Sequence, residues 1–286
     1  MKITKKICIR LCFSAVSIFL LFQFSFAQQT KPPLKRTTYK TEKVEFGVGG
    51  TVSIVGAPEG SITIEGWQNN EVEISAEITT HAATEADLAL LAQVNDVVVE
   101  AGFGRISILT AGVHDKRYIK RVAKKFPKHL ENTPFRIDYH IKVPIFTDLE
   151  ITGGKGDFNL SGVEGAMRIN FLESNAKMNL IGGLVNAVFG SGTVETIIAT
   201  RSWRGRHADI QLASGEMTVY LPLNLSAQID ASVLRTGKIE NAYEFLKPRD
   251  RSKFTEKAML AKAGNGGATL SFTVGDGTLN LLEIKK

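Results

Sequence analysis

A five-residue unit recurs along this chain: glycine, any residue, an apolar residue, a polar residue and an apolar residue. It reads Gly60-Ser-Ile-Thr-Ile64, Gly104-Arg-Ile-Ser-Ile108, Gly156-Asp-Phe-Asn-Leu160 and Gly165-Ala-Met-Arg-Ile169. It returns as Gly192-Thr-Val-Glu-Thr196, with a polar last position, as Gly215-Glu-Met-Thr-Val219 and as Gly277-Thr-Leu-Asn-Leu281. Each unit is a turn residue feeding a short strand with one apolar face. One such strand cannot bury that face alone, so the units must stack. The pattern therefore predicts an all-β solenoid of irregular short coils, β-helix-like in character.

The alternation is densest from Leu149 to Leu223. Its inward set is Phe158, Leu160, Met167, Ile169, Phe171, Met178, Leu180, Val185, Phe189, Val194, Ile198, Ile210, Leu212, Met217, Val219 and Leu221. The residues between them are polar, among them Asp157, Asn159, Arg168, Lys177, Glu195, Asp209 and Glu216. A slip of one residue would turn the apolar set to water, so the alternation sets the register. Unit starts at Gly156, Ala176, Gly192 and Gly215 imply coils of about two strands and two turns. Asn159, Asn179, Asn186 and Asn280 share the fourth place of their units and predict an external asparagine ladder. One short helix interrupts the N-terminal part, where Thr84-Glu-Ala-Asp87 reads as a capping box before Leu88, Leu91, Ala92 and Val94. A charged loop over 245–257 precedes a closing strand pair, 268–274 and 277–284.

The chain opens with an export signal. Lys2, Lys5, Lys6 and Arg10 form its basic start, 11–26 its apolar core and Ser25-Phe-Ala27 a small-x-small cleavage site. Residues 1–27 are thus expected to be removed, with no stable transmembrane anchor left behind; the apolar run is short for a span. Both cysteines, Cys8 and Cys12, fall inside this segment, so the mature chain can hold neither a disulfide nor a thiolate metal site. The charge also changes meaning. The whole chain has 35 bases against 29 acids, and loss of the four signal bases leaves 31 against 29. That near-balance argues against nucleic acid as a partner. Residues 28–43, polar with a Pro-Pro pair, read as a flexible linker before a single solenoid domain over 44–286.

Three landmarks resemble the bacterial putative-adhesin domain of the DUF4097 type, related to the head domains called GIN. They are Gly60-Ser-Ile-Thr-Ile-Glu-Gly-Trp67 with Glu71-Val-Glu-Ile-Ser75, Tyr139-His-Ile-Lys-Val-Pro144 with Leu149-Glu-Ile-Thr-Gly153, and Gly267-Ala-Thr-Leu-Ser-Phe272 running into Gly277-Thr-Leu-Asn-Leu281. The resemblance covers roughly 44–284 and implies a right-handed β-solenoid exported to the cell envelope. It brings no family-wide catalytic, cofactor or ligand residues.

The chemistry-bearing residues are sparse. The five histidines lack metal-ligand spacing, and no nucleophile elbow or phosphate loop is present. Gly153-Gly-Lys-Gly-Asp157 reads as a tight turn, since calcium-binding nonapeptides need tandem copies. The outward acids Asp157, Glu173, Glu195, Asp209 and Glu216 sit on different units and read as solvated carboxylates. No catalytic, cofactor or metal site is expected. One segment is a compositional outlier: 114–129 carries seven bases, Lys116, Arg117, Lys120, Arg121, Lys124, Lys125 and Lys128, against Asp115 alone. Ile119, Val122, Ala123 and Phe126 fall at helical spacing among them, which suits a basic amphipathic helix on an anionic surface; a solvated insert is the alternative. In Arg201-Ser-Trp-Arg-Gly-Arg-His207, Trp203 is a candidate platform for sugar stacking, with a packed turn as the alternative.

These features together predict a non-enzymatic module, in the periplasm or at the cell surface, that presents a repetitive surface for adhesion. Its partner would be an anionic envelope surface, a glycan or an envelope protein. Two other classes stay open at this point: a glycan-active enzyme on a β-helix, and a structural or regulatory component bound to a membrane protein.

Overall fold

A computed structural model describes residues 33–123, 125–249 and 251–285, so the predicted signal segment lies outside the described residues. The described chain is all-β with two short helices. It opens with β1 (Leu34–Glu45), β2 (Thr51–Val55), β3 (Ile62–Trp67), β4 (Glu71–Ala82) and α1 (Glu85–Val94). There follow β5 (Asp96–Gly102), β6 (Arg105–Ala111), α2 (Lys116–Val122) and a single 3-10 turn at Lys128–Leu130. The middle holds β7 (Phe135–Pro144), β8 (Asp148–Lys155), β9 (Phe158–Ser161), β10 (Ala166–Leu180), β11 (Leu184–Ile198) and β12 (His207–Leu221). The last part holds β13 (Ala227–Val233), β14 (Gly237–Asn241), β15 (Leu246–Pro248), β16 (Ala258–Ala263) and β17 (Thr269–Glu283).

Strand pairing runs along two lines. The first is β5-β6-β2-β8-β10-β11-β12-β17-β13-β16-β15, parallel from β6 to β13 and antiparallel at both ends. The second is β1-β4-β7-β3-β9-β10-β11-β12-β17-β14, antiparallel only across β1, β4 and β7. Four strands of 15 residues, β10, β11, β12 and β17, serve both lines, one with each half.

The bend between the halves explains how one strand can do this. Ser174, Gly192, Gly215 and Gly277 stand in register at the bend. Alternation resets there: Val185, Ala187 and Phe189 are buried before it, Val194, Thr196 and Ile198 after it. A strict period of two would have turned the second set to water. Gly215 shows why the corner needs glycine. Its φ is +137°, and a Cβ built on it would overlap the carbonyl oxygen of Gly192. The strand register steps from Lys155 to Glu173 and from Ser174 to Gly192 by 18 residues, then by 23 to Gly215. The unit start expected at Ala176 is therefore corrected to Ser174, which lies two residues earlier and is not a glycine.

All sixteen residues of the predicted inward set are buried, and none of the polar residues named between them is. At its centre the Phe158, Phe171 and Phe189 rings stack at 4.9, 6.0 and 6.4 Å between centroids. Each such pair adds about 0.5–1.5 kcal/mol beyond the burial of its area. The expected helix forms with the expected cap: the Thr84 hydroxyl oxygen accepts from the Asp87 amide at 3.1 Å, and Leu88, Leu91 and Val94 are buried against β4 and β1.

Three expectations give way. Residues 34–43 are not linker but most of β1, paired residue for residue with β4 from Leu34↔Ala82 to Glu45↔Glu71. They read as polar because β1 is an edge strand, and Lys35, Lys40 and Lys43 discourage further pairing there. The closing strand pair is one bent strand, β17, and it does not close the stack: it lies between β12 and β13–β14. The asparagine ladder is absent as well. Asn159 stands opposite Thr63 and Lys177, Asn179 opposite Ser161 and Ile197, and Asn280 opposite Thr218.

Candidate functional site

The second pairing line turns its core side inward and presents straight rows of side chains outward. One row runs through Thr63, Asn159, Lys177, Glu195, Thr218 and Asn280 on six successive strands. At roughly 4.8 Å per strand it spans about 24 Å. The row beside it carries Asn175, Thr193, Glu216 and Thr278. Amides and hydroxyls tie neighbours together: Asn175 donates to Asp157 at 3.2 Å, Thr193 to Asn175 at 2.9 Å and Asn159 to Thr63 at 3.4 Å. Parallel, in-register strands thus line up a long polar strip.

Each of the five predicted outward acids has a donor of its own. Asp157 accepts from Asn175, Asp209 from Gln211 at 2.8 Å and Glu216 from Asn280 at 2.7 Å. Glu173 pairs with Lys155 at 3.2 Å and Glu195 with Lys177 at 3.9 Å. They are spread along the stack rather than gathered about one point, whereas glycoside hydrolysis needs two carboxyls facing one bond. Among the described residues no group of three His, Cys, Asp or Glu side chains could hold a metal ion.

The basic segment is helical for fewer residues than its spacing predicts. α2 starts at the Asp115 cap, whose carboxylate accepts from the Tyr118 amide at 3.1 Å and the Arg117 amide at 2.8 Å. Those two amides hold the Asp115 carboxyl below its ordinary range. Ile119 is buried and anchors the helix, but Val122 is 45% exposed and Ala123 already has extended backbone. The stripe expected through Val122 to Phe126 is thus cut short, because one apolar anchor holds only one turn or so of helix. Lys116, Arg117, Lys120, Arg121, Lys125 and Lys128 are exposed, and Lys124 lies outside the described residues. Arg121 sits over the Tyr118 ring at 5.4 Å; none of the six described bases forms an ion pair among the described residues. The segment is a cluster of open positive charge.

Trp203 is not a sugar platform. It is 6% exposed, and its indole N–H donates to the Gly183 carbonyl at 3.0 Å. The adjoining bases Arg201, Arg204 and Arg206 are exposed, with Arg204 paired to Glu164 at 2.9 Å. The indole fills the corner between stacked turns, which leaves no ring face for a ligand.

One feature escapes the sequence reading. At the end of the outer row through Asn179, three apolar side chains follow in register, Ile197, Tyr220 and Leu282. With Ala242 and Ile284 they line an open groove of about 740 Å³ rimmed by Glu195 and Glu283. The signal is present: alternation fails at the same point of each coil, in Ile197-Ile198, Val219-Tyr220-Leu221 and Leu281-Leu282. Among the described residues no helix is long and apolar enough to cross a membrane.

No protein-family model and no curated protein matches the chain. Solved structures do. The chain is similar to a "putative cell adhesion protein" from Clostridium sporogenes at 15% identity and a TM-score of 0.48, covering 87% of this chain and 100% of that one. It is also similar to a "putative adhesin" from Bacteroides fragilis at 10% identity and a TM-score of 0.32, covering 86% and 97%. A "putative adhesin" from Parabacteroides merdae gives 10% identity and a TM-score of 0.26, covering 86% and 96%.

Proposed function

We propose that this chain is an exported, non-enzymatic binding module of the bacterial cell envelope, a right-handed β-solenoid of the DUF4097 putative-adhesin type. The observation that carries the reading is the outer strip. Its polar groups repeat from strand to strand and satisfy one another in passing, where a catalytic site would make them converge. Such a surface suits extended, repetitive partners, which it meets through many weak and similar contacts. Crossovers between parallel strands are right-handed in nearly all proteins, which supports the handedness. The signal-like 1–27 segment supports export to the periplasm or the cell surface.

Within this reading the basic segment meets an anionic envelope surface: phosphate groups of lipid or lipopolysaccharide, or an acidic glycan. Its six described bases are exposed and form no ion pair among the described residues, so little must be broken before they bind. The test is co-sedimentation of the protein with washed bacterial envelopes across a salt series. Binding should weaken as salt rises. Neutralising Lys120, Arg121, Lys124 and Lys125 to Gln should weaken it further and flatten the salt dependence. Unchanged binding in that variant would retire the basic segment as the contact. No binding to envelopes at any salt would overturn the envelope reading itself. The groove at Ile197, Tyr220 and Leu282 favours a second reading, a component that docks an apolar segment of an envelope protein. Salt-resistant sedimentation lost in Tyr220→Ser would select it.

A further inference from the structure

Three large apolar side chains stand out at one end of the first pairing line. Phe103 is fully exposed, Val48 is 61% exposed and Phe146 is 52% exposed. They sit on three different turns, 46–50, 102–104 and 145–147, that the strands bring side by side. The Thr51 amide donates to the Gly104 carbonyl at 2.9 Å, the Gly49 amide to the Phe146 carbonyl at 2.8 Å and the Asp148 amide to the Gly50 carbonyl at 3.0 Å. The turn bearing Val48 thus bridges the other two, so three exposed apolar side chains stand on adjacent turns.

Two further observations say what kind of surface this is. Residues 46–50, 101–104 and 143–147 contain no ionisable side chain. A Cβ built on Gly47, Gly49 or Gly104 would meet nothing within 4 Å, so the backbone at these three positions is open, while Gly50 beneath them packs on Phe46 and the Gly104 carbonyl. The three turns are apolar and uncharged. A protein partner would need matching pockets for three separate projections, whereas fluid acyl chains part around them. The charges behind the tip are mainly acidic: Glu45, Glu100 and Asp148, with Arg105 paired to Glu150 at 2.6 Å. Such a rim does not select an anionic surface.

We propose that the turns carrying Val48, Phe103 and Phe146 form a lipid-inserting tip that enters the apolar layer of a zwitterionic phospholipid bilayer. The site is separate from the basic segment. α2 follows the far end of β6, whose seven residues extend over about 23 Å. Tip insertion is driven by apolar burial and is insensitive to salt, while contact through α2 is electrostatic.

Residues 34–286 form a compact unit by themselves, so the experiment uses the chain from Gln28, free of the apolar leader. The protein is floated with phosphatidylcholine vesicles at low and high salt. It should float at both. Replacing Val48, Phe103 and Phe146 together by Ser should lower the partition coefficient by at least about tenfold, the scale expected for one phenyl side chain moved out of water. The three side chains are exposed, so the variant should melt with the parent protein. As a separate readout, the indole introduced by Phe103→Trp should shift its emission to the blue on binding and be quenched by brominated lipid. Failure of the parent protein to float, equal flotation of the triple variant, or an indole emission blind to brominated lipid in the Phe103→Trp variant would each overturn the tip. Variants of α2 should float unchanged, so failure of the envelope reading and failure of this one are told apart.

Discussion

Gly277 faces Gly215 across the β12–β17 ladder, so close that a Cβ on Gly277 would overlap the Gly215 carbonyl oxygen. With φ at +140°, Gly277 also holds a backbone conformation that side chains disfavour. The same approach recurs between Gly215 and Gly192, so the corner is a column of glycines in direct backbone contact.

Gly277→Ala should therefore destabilise the fold by about 2–4 kcal/mol, from strain and a displaced rung together. Gly47→Ala, with nothing near its Cβ, should stay within about 0.5 kcal/mol of the parent. Urea denaturation of the two variants side by side checks this. Equal midpoints would mean that the corner is looser than the register implies.

Thr196 is fully buried between Met178 and Val219, and its hydroxyl has no hydrogen-bond partner among the described residues. Val has nearly the same shape without the polar atom. Thr196→Val should raise stability by about 1 kcal/mol, seen as a higher urea midpoint at an unchanged slope. A lowered midpoint would show that the hydroxyl is hydrogen-bonded in solution.

Asp276 accepts from Arg235 at 2.8 Å and from the Thr236 hydroxyl at 2.8 Å, and these bonds hold its carboxyl down to about 2 from 3.8. A carboxyl depressed in the folded state supplies stability that is fully present above its unfolded value. That stability is lost as pH falls towards the folded one. Between pH 4 and 2 the protein should lose stability faster than Asp276→Asn does. Parallel acid limbs in the two proteins would remove Asp276 from the balance.

Trp203→Phe should lower stability by about 1–2 kcal/mol, because it leaves the half-buried Gly183 carbonyl without its indole donor. Binding to any polysaccharide should not change. Thermal melting with and without the glycan separates the two effects, and lost glycan binding at unchanged stability would restore Trp203 as a contact residue.

The core is legible in the sequence because burial is written in period two. Alternation alone places Phe158 to Leu221 inward, and the spacing of Thr84 to Asp87 places the helix cap. The failures share a cause: alternation reports which face of a strand is wet but not which strand lies beside it. β1 escapes because edge strands are polar, and β17 is misplaced because nothing local says that 269–283 returns between β12 and β13. The asparagine ladder fails because the row through Asn159 and Asn280 is filled between them by Lys177, Glu195 and Thr218, while Asn179 and Asn186 stand on other rows. Among candidate sites, the basic segment is visible as composition. The tip is not, since Val48, Phe103 and Phe146 are distant in sequence and their turns are brought together only by the pairing of β2 with β6 and β8.

The place of β17 sets an order of assembly. A chain growing from its N-terminus can lay β8, β10, β11 and β12 down one after another as they emerge. β13 and β14, made next, have no parallel neighbour in the stack until residues 269–283 arrive and slot in ahead of them. The final stretch of chain is thus a keystone rather than a cap. Until it is synthesised, β12 has no strand partner on the side away from β11 among the described residues.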